Sequence, residues 1–257
     1  MILGIAGKKR SGKNTLANHI YAHVFKHIGF DARINELGQL MVKTENGGEG
    51  VLMLEECFRR DEKGAKIARW LHETIWPNVK SYAFADPLKA ICMDFFGLTW
   101  EQCYGDNKNT STTYNWNTLP SVLTLTSLKN SVKKSSQRDN IVGAEDGEVT
   151  ARQFLQFLGT DIFRKIRYDC WVQRTLDIIK VEKPLLSLIT DVRFDNEAEA
   201  IRQAGGRIIV LTRDVCERDG HESERGITVQ PFDIIIDNQN MSVEEQGKAF
   251  DDLKLIP

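Results

Sequence analysis

The chain has 257 residues and a formal net charge of -2, with a pI near 6.2. That length suits one large α/β domain, or such a core carrying insertions, and the near-balanced charge excludes the strong basic field of a general nucleic-acid binder. The longest apolar runs, such as "PLLSLIT", are far shorter than a membrane span, so no membrane partner is expected.

The first element is the apolar run "ILGIA" (2–6), which has the composition of a buried strand. No charged leader precedes it, and the run is too short for a signal peptide. The five cysteines, Cys57, Cys92, Cys103, Cys170 and Cys216, are odd in number, widely spaced and form no C-x-x-C. They read as free thiols, and a cytoplasmic location is expected.

Directly after this strand comes "GKKRSGKNT" (7–15), close to the phosphate-binding pattern G-x-x-x-x-G-K-[ST]. Gly7 and Gly12 let backbone N–H groups curl round phosphate oxygens. Lys13 brings a point charge to the β- and γ-phosphates, and the following helix adds its N-terminal dipole. Lys8, Lys9 and Arg10 place three more cations in the loop. Asn14 stands where Ser or Thr should ligate Mg²⁺, and Thr15 comes one place late. Mg²⁺ keeps several waters and takes much of its coordination from substrate phosphates, so no direct protein ligand is required. The order G-K-x-T resembles nucleoside monophosphate kinases and points away from switch GTPases and motor ATPases.

The segment that follows reads as a helix. Leu16, Ala17, Ile20, Tyr21, Val24 and Phe25 share one face, and His19, His23 and His27 share another. The histidine spacing could hold a metal ion, but no ligand from another element is in view, and a solvated helix face is the expected reading. Two stretches exceed a minimal α/β core: about 31–79, with a helix expected over "VLMLEECFRRDEKGAKIARWLHETIW", and about 106–149, rich in Asn, Ser and Thr. A weaker strand, "SYAFA" (81–85), lies between them. No composition break divides the chain, so residues 1–257 read as one domain with two insertions.

"TARQFLQFLGTDIF" reads as a helix opened by Thr150, with Arg152 and Gln156 projecting together at i,i+4. A guanidinium beside an amide suits a phosphate beside a base edge. Trp171 could stack on a base or pack in the core. Three further buried-type strands, "LLSLIT" (185–190), "RIIVLT" (207–212) and "DIIID" (233–237), flank the helix "NEAEAIRQAGG" (196–206). Asp191 closes the first of them, at the strand end where α/β sheets bind ligands. Such a carboxylate can hold Mg²⁺ through water, and Arg193 can clamp a phosphate bidentately. Arg213 ends the next strand, and the aperiodic stretch after it carries Arg218, His221, Glu222, Glu224 and Arg225.

Taken in order, "GKKRSGKNT", "FADPLKAI", "FGLTWEQCYGDNKN", "TARQFLQFLGTD" with "DCWV", "ITDVRFDNEAEAIRQAGGRIIVLTR" and "HESERG" resemble the deoxynucleoside monophosphate kinases of tailed bacteriophages. The resemblance covers most of the chain apart from the two insertions. It implies a P-loop kinase fold: five parallel strands in the order 2-3-1-4-5 with helices on both faces. It also implies ATP and Mg²⁺, a deoxynucleoside 5′-monophosphate as acceptor, and the host cytoplasm as location if the chain is phage-encoded.

On this resemblance the ATP side comprises Lys9, Arg10, Gly12, Lys13, Asn14, Thr15 and Arg213. The acceptor side comprises Lys89, Lys108, Arg152, Gln156, Gly159, Thr160, Trp171, Asp191, Arg193 and Glu197. Lys13, Asp191 and Arg193 carry the catalysis. Two departures stand out: Asn14 occupies a position where some relatives carry Asp, and region 106–149 does not align by eye. The partners expected are small nucleotides, with no polymeric nucleic acid, and a homodimer is compatible with the sequence. The alternatives are another P-loop small-molecule kinase, such as one acting on dephospho-coenzyme A, and a non-catalytic ATP-binding module.

Overall fold

A computed structural model describes residues 1–43, 47–115, 147–214 and 226–256. Cys216, Arg218, His221, Glu222, Glu224 and Arg225 lie outside the described residues, as does most of 106–149. From the N-terminus, β1 (Ile2–Gly7) leads into α1 (Lys13–His27), then β2 (Ala32–Ile34), β3 (Leu40–Lys43), β4 (Glu49–Val51), α2 (Glu62–Thr74) and β5 (Val79–Tyr82). Next come α3 (Asp86–Phe96), α4 (Trp100–Cys103), β6 (Ser111–Asn115), β7 (Glu148–Thr150), α5 (Ala151–Gln156) and α6 (Cys170–Glu182). The C-terminal part runs through β8 (Leu186–Val192), α7 (Asp195–Gln203), β9 (Arg207–Leu211), β10 (Ile234–Ile236) and α8 (Val243–Asp251).

The chain divides into two compact units, one formed by Met1–Phe84 with Val172–Pro257, the other by Ala85–Trp171. In the first, a five-stranded sheet has the order β10-β9-β1-β8-β5, and every pairing is parallel. Numbered along the chain within this sheet, the order is 2-3-1-4-5 from the β5 edge, as the resemblance implies. The central strands are apolar on both faces because helices cover both faces. Leu3 and Ile5 of β1, Leu188 of β8 and Ile209 of β9 share one core with Leu16, Ile20, Tyr21 and Phe25 of α1. The Tyr21 hydroxyl accepts a hydrogen bond from the Ser81 N–H at 2.7 Å, tying α1 to β5. Across the other edge, Arg202 of α7 makes a 2.6 Å ion pair with the buried Asp233, just ahead of β10.

The weaker strand lies at Val79–Tyr82, earlier than the expected 81–85. The helix expected over 51–76 is shorter. A 3₁₀ turn occupies Leu54–Phe58, and α2 begins only after Asp61, whose carboxylate accepts from the Gly64 N–H at 2.8 Å and caps the first turn. The insertion also contains an element that periodicity did not show, the antiparallel sheet β2-β3-β4.

The second unit is mainly helical. Both α4 and α5 open on capping boxes, Thr99 with Gln102 and Thr150 with Gln153. β6 and β7 pair antiparallel, with Ser111 opposite Thr150 and Asn115 opposite Glu148. Phe154 anchors the packing, stacked on Tyr114 at 4.6 Å and edge-on to Phe96 at 5.2 Å. After α5 the helix widens into a π-helical stretch, Phe157–Phe163.

Candidate active site

The loop with the phosphate-binding pattern, residues 7–15, runs from the end of β1 into the start of α1, within the first unit. Lys13 is only 9% exposed, and its ammonium donates to the carbonyls of Gly7 at 2.8 Å and Lys8 at 2.6 Å. It is thus folded along the inside of its own loop. Burial pushes its pKa down to about 8; the positive charge of Arg193 adds to that shift and the Asp191 carboxylate opposes it. The structure therefore brings Lys13, Asp191 and Arg193 into one electrostatic group, although they are far apart in sequence.

A β-bulge helps to place Asp191. Along β1 and β8 the partners run Gly4 with Ile189 and then Ala6 with Val192, so β8 spends one residue more than β1 over that interval. Such a bulge bends a strand and re-aims the side chains within it. The Phe84 N–H, just beyond β5, donates to Asp191 Oδ1 at 2.9 Å and fixes the carboxylate. Behind Arg193, the buried Glu197 accepts from the Arg193 and Phe194 N–H groups at 2.8 and 3.1 Å. Glu197 thus works on the backbone that carries Arg193, at the N-terminus of α7.

The other loop residues are deployed differently. Lys9 and Arg10 are exposed, and Arg10 has φ 61°, a left-handed conformation uncommon outside glycine. Lys8 pairs with Asp214. Asn14 is exposed, whereas Thr15 lies under the β2–β3 turn. Gly38 in that turn has φ 75°, and a Cβ there would stand 2.5 Å from Thr15 Oγ1; the Gly38 carbonyl also accepts from Asn18 Nδ2 at 2.9 Å. Arg213 donates to the carbonyls of Asn238, at 3.0 Å, and Met241. Close by, Asp237, Gln239, Asn240, Met241 and Glu245 line a cavity of about 300 Å³.

In the second unit three cations converge. The Lys108 pKa is lowered, first by burial and then by the charges of Lys89 and Arg152, with Asp106 opposing. Lys89 is held over the Tyr104 ring, 3.9 Å from its centroid, and 3.6 Å from Asp86. Tyr104 in turn donates its hydroxyl to Asp86 at 3.1 Å. Arg152 Nε donates to Asn109 Oδ1 at 2.9 Å. Gln156 and Thr160 are exposed on the helix after Arg152. Trp171 is 6% exposed, donates from Nε1 to the Gly159 carbonyl at 3.1 Å and packs on Phe163 at 4.9 Å. Little of its ring is left for a base to stack on.

A family model described as deoxynucleotide monophosphate kinase matches residues 101–248, more than half of the chain. The chain belongs to the deoxynucleotide monophosphate kinase family. A protein of Acanthamoeba polyphaga mimivirus, named "Putative deoxynucleotide monophosphate kinase", is 27% identical over 180 residues, which cover 63% of this chain and 76% of the viral one. The kinase is thus a phosphotransferase. Residues 7–15 precede the stretch matched to the family.

Among the described residues of the kinase, no three His, Cys, Asp or Glu side chains converge to hold a metal ion, and no helix is long and apolar enough to cross a membrane. His19 instead contacts Asp251 at 2.8 Å. Sequence reading overlooked Asp86, Tyr104, Asn238 and Gln246. "FADPLKAI" contained Asp86 three residues before Lys89, one helical turn away, which was a usable signal; the others depend on the fold.

The lowered pKa of Lys13 gives a pH prediction for the kinase. Below pH 8 the free enzyme carries the ammonium; above it the amine is neutral and loses its attraction for phosphate. The value of kcat/KM for ATP should therefore fall as pH rises through about 8. Bound phosphates favour the ammonium, so kcat itself should stay level over the same interval. A kcat/KM profile flat to pH 9.5 would contradict the assignment.

Proposed function

We propose that the protein transfers the γ-phosphoryl group of ATP to deoxynucleoside 5′-monophosphates, giving the diphosphates and ADP. The observation that carries this reading is the group formed by the buried Lys13, Asp191 and Arg193 at the phosphate loop. Lys13 serves the β- and γ-phosphates. Arg193, exposed yet close enough to depress the Lys13 pKa, serves the phosphoryl group in flight, whose charge spreads over its three equatorial oxygens. The donor's base takes the cavity at Asp237–Met241.

The donor chemistry suits Mg²⁺ held mainly by substrate: Asp191 offers one carboxylate, Thr15 a hydroxyl and Asn14 an amide oxygen, and phosphates and water would complete the shell. Mg²⁺ held there would supply charge neutralisation to the phosphates. Asp191, fixed by the Phe84 N–H, would be the carboxylate available to that ion.

For the acceptor, Lys89, Lys108 and Arg152 form the cationic group that suits a monophosphate, and Gln156 and Thr160 offer polar contacts further along the same helix. Gly159 and Trp171 form its packed backing. In the reaction an acceptor oxygen bonds to the γ-phosphorus as the bond from γ-phosphorus to the β–γ bridging oxygen breaks. An acceptor phosphate is already anionic near neutral pH, so no general base is required. Positioning and charge neutralisation do the catalytic work.

A coupled assay for ADP release, run across all deoxynucleoside and ribonucleoside monophosphates and dephospho-coenzyme A, tests the reading. Turnover with at least one deoxynucleoside monophosphate is expected. Turnover with dephospho-coenzyme A alone, or ATP binding without any turnover, would refute it.

Asn14 supplies a second test. With Mg²⁺ held mainly by phosphates and water, Asn14→Ala should cost less than about tenfold in kcat/KM, or about 1.4 kcal/mol. A much deeper loss, with a raised Mg²⁺ requirement, would make the amide a required ligand or orienter.

A further inference from the structure

We propose that Asn238 and Gln246 are positioning residues for phosphate transfer: a buried pair of amides that holds the phosphate loop from behind. This rests on the donor-site reading above, and it assigns a role to two side chains that hold the Ser11 and Gly12 carbonyls, whereas Lys13 holds those of Gly7 and Lys8.

Asn238 is 0% exposed and Gln246 is 2% exposed. Asn238 Nδ2 donates to the Ser11 carbonyl at 2.7 Å and to Gln246 Oε1 at 2.8 Å. Gln246 Nε2 donates to the Gly12 carbonyl at 3.0 Å. The Arg213 N–H donates to Asn238 Oδ1 at 2.9 Å. These partners fix the orientation of both amides: the two carbonyls can only accept and the Arg213 N–H can only donate, so flipping either amide would oppose like groups.

The contact with the loop is close. Gly12 has φ 94°, and a Cβ there would stand 2.6 Å from Gln246 Oε1. The loop backbone therefore lies directly against the glutamine, in a conformation that a residue with a side chain rarely adopts.

The consequence is electrostatic. A phosphate cradle works when N–H groups face the ligand and carbonyls face away. A peptide flip in the loop would turn a carbonyl towards the phosphates. The amide pair presents N–H donors at the back of the loop, and a flip at Ser11 or Gly12 would leave those donors unpaired in a buried place. The pair thus favours the loop state that binds phosphate, before ATP arrives. Lys13 secures the opposite arm through the Gly7 and Lys8 carbonyls.

The test uses the full chain with Gln246→Met and Gln246→Glu, with melting curves to verify folding. Gln246→Met keeps the length of the side chain without its hydrogen bonds. In either variant the KM for ATP should rise about tenfold and kcat should fall, while the KM for the monophosphate should stay within about twofold. Gln246→Glu adds a signature of its own. At pH values well below about 8 Lys13 is already an ammonium in the parent. There, protonation of the carboxyl introduced by Gln246→Glu lets it donate again to the Gly12 carbonyl, so the variant's ATP affinity should recover as pH falls over an interval in which the parent's stays level. This second variant also decides the matter if Gln246→Met does not fold. An unchanged KM for ATP in a folded variant, or equal rises for both substrates, would overturn the proposal. Lys13→Met separates the two readings: inactive Lys13→Met with unaffected Gln246 variants removes the amide proposal alone, whereas active Lys13→Met removes the donor site with it.

Discussion

Lys13→Met should lower kcat by about 10³-fold while the protein stays folded, a loss of about 4 kcal/mol in transition-state stabilisation. Methionine keeps most of the aliphatic length, so the nearly buried position stays filled. The ammonium is what disappears, and with it the charge proposed to serve the β- and γ-phosphates. Its hydrogen bonds to the Gly7 and Lys8 carbonyls are lost as well, so a modest fall in melting temperature should accompany the kinetic effect. The two consequences separate experimentally. Steady-state kinetics at saturating ATP and monophosphate report the chemical loss, and thermal melting reports the structural one. Near-normal turnover in a folded variant would remove the phosphate-loop reading altogether.

Much of this site was legible because its parts follow local rules. A buried strand, a glycine-bearing loop and an amphipathic helix are contiguous in sequence, so the strand and helix that flank residues 8–12 could be read directly. The strand carrying Asp191 announced itself by its apolar run, and the sheet order followed from the family resemblance. What stayed hidden depends on long-range pairing. The extra residue in β8 shows only in its register against β1. The sheet β2-β3-β4 is made of strands too short for periodicity, and its Gly38 turn acquires meaning only where it meets Thr15. Arg213 read as an ATP contact from its place at a strand end; the hydrogen bonds of its guanidinium to the Asn238 and Met241 carbonyls, 25 and 28 positions away, are not legible in the sequence. Asn238 meets Ser11 across 227 positions of sequence, a pairing that no local pattern encodes. Trp171 was open between stacking and packing, and its burial and its bond to the Gly159 carbonyl favour packing.

The second large effect concerns the two arginines, which should fail in different ways. Arg193 shares the electrostatic group of Lys13, so Arg193→Ala should lower kcat by about 10²-fold or more, because the charge in flight loses a partner. Arg193→Lys retains a charge without the bidentate fork and should recover only part of that loss. Arg152 belongs with Lys89 and Lys108, and its Nε is oriented by Asn109. Arg152→Lys should therefore raise the KM for the monophosphate by about tenfold while leaving the KM for ATP nearly unchanged. The rise should be alike for every accepted base, since the phosphate is common to all of them. Neutralising Lys108 as well should add less than its own single effect, because two neighbouring cations on one phosphate are not independent. Weakened ATP binding alone on Arg152→Lys would place that cation cluster on the donor side. If neither arginine affected any monophosphate, acceptor recognition would have to lie outside both groups of residues, and the proposed division of labour would fail.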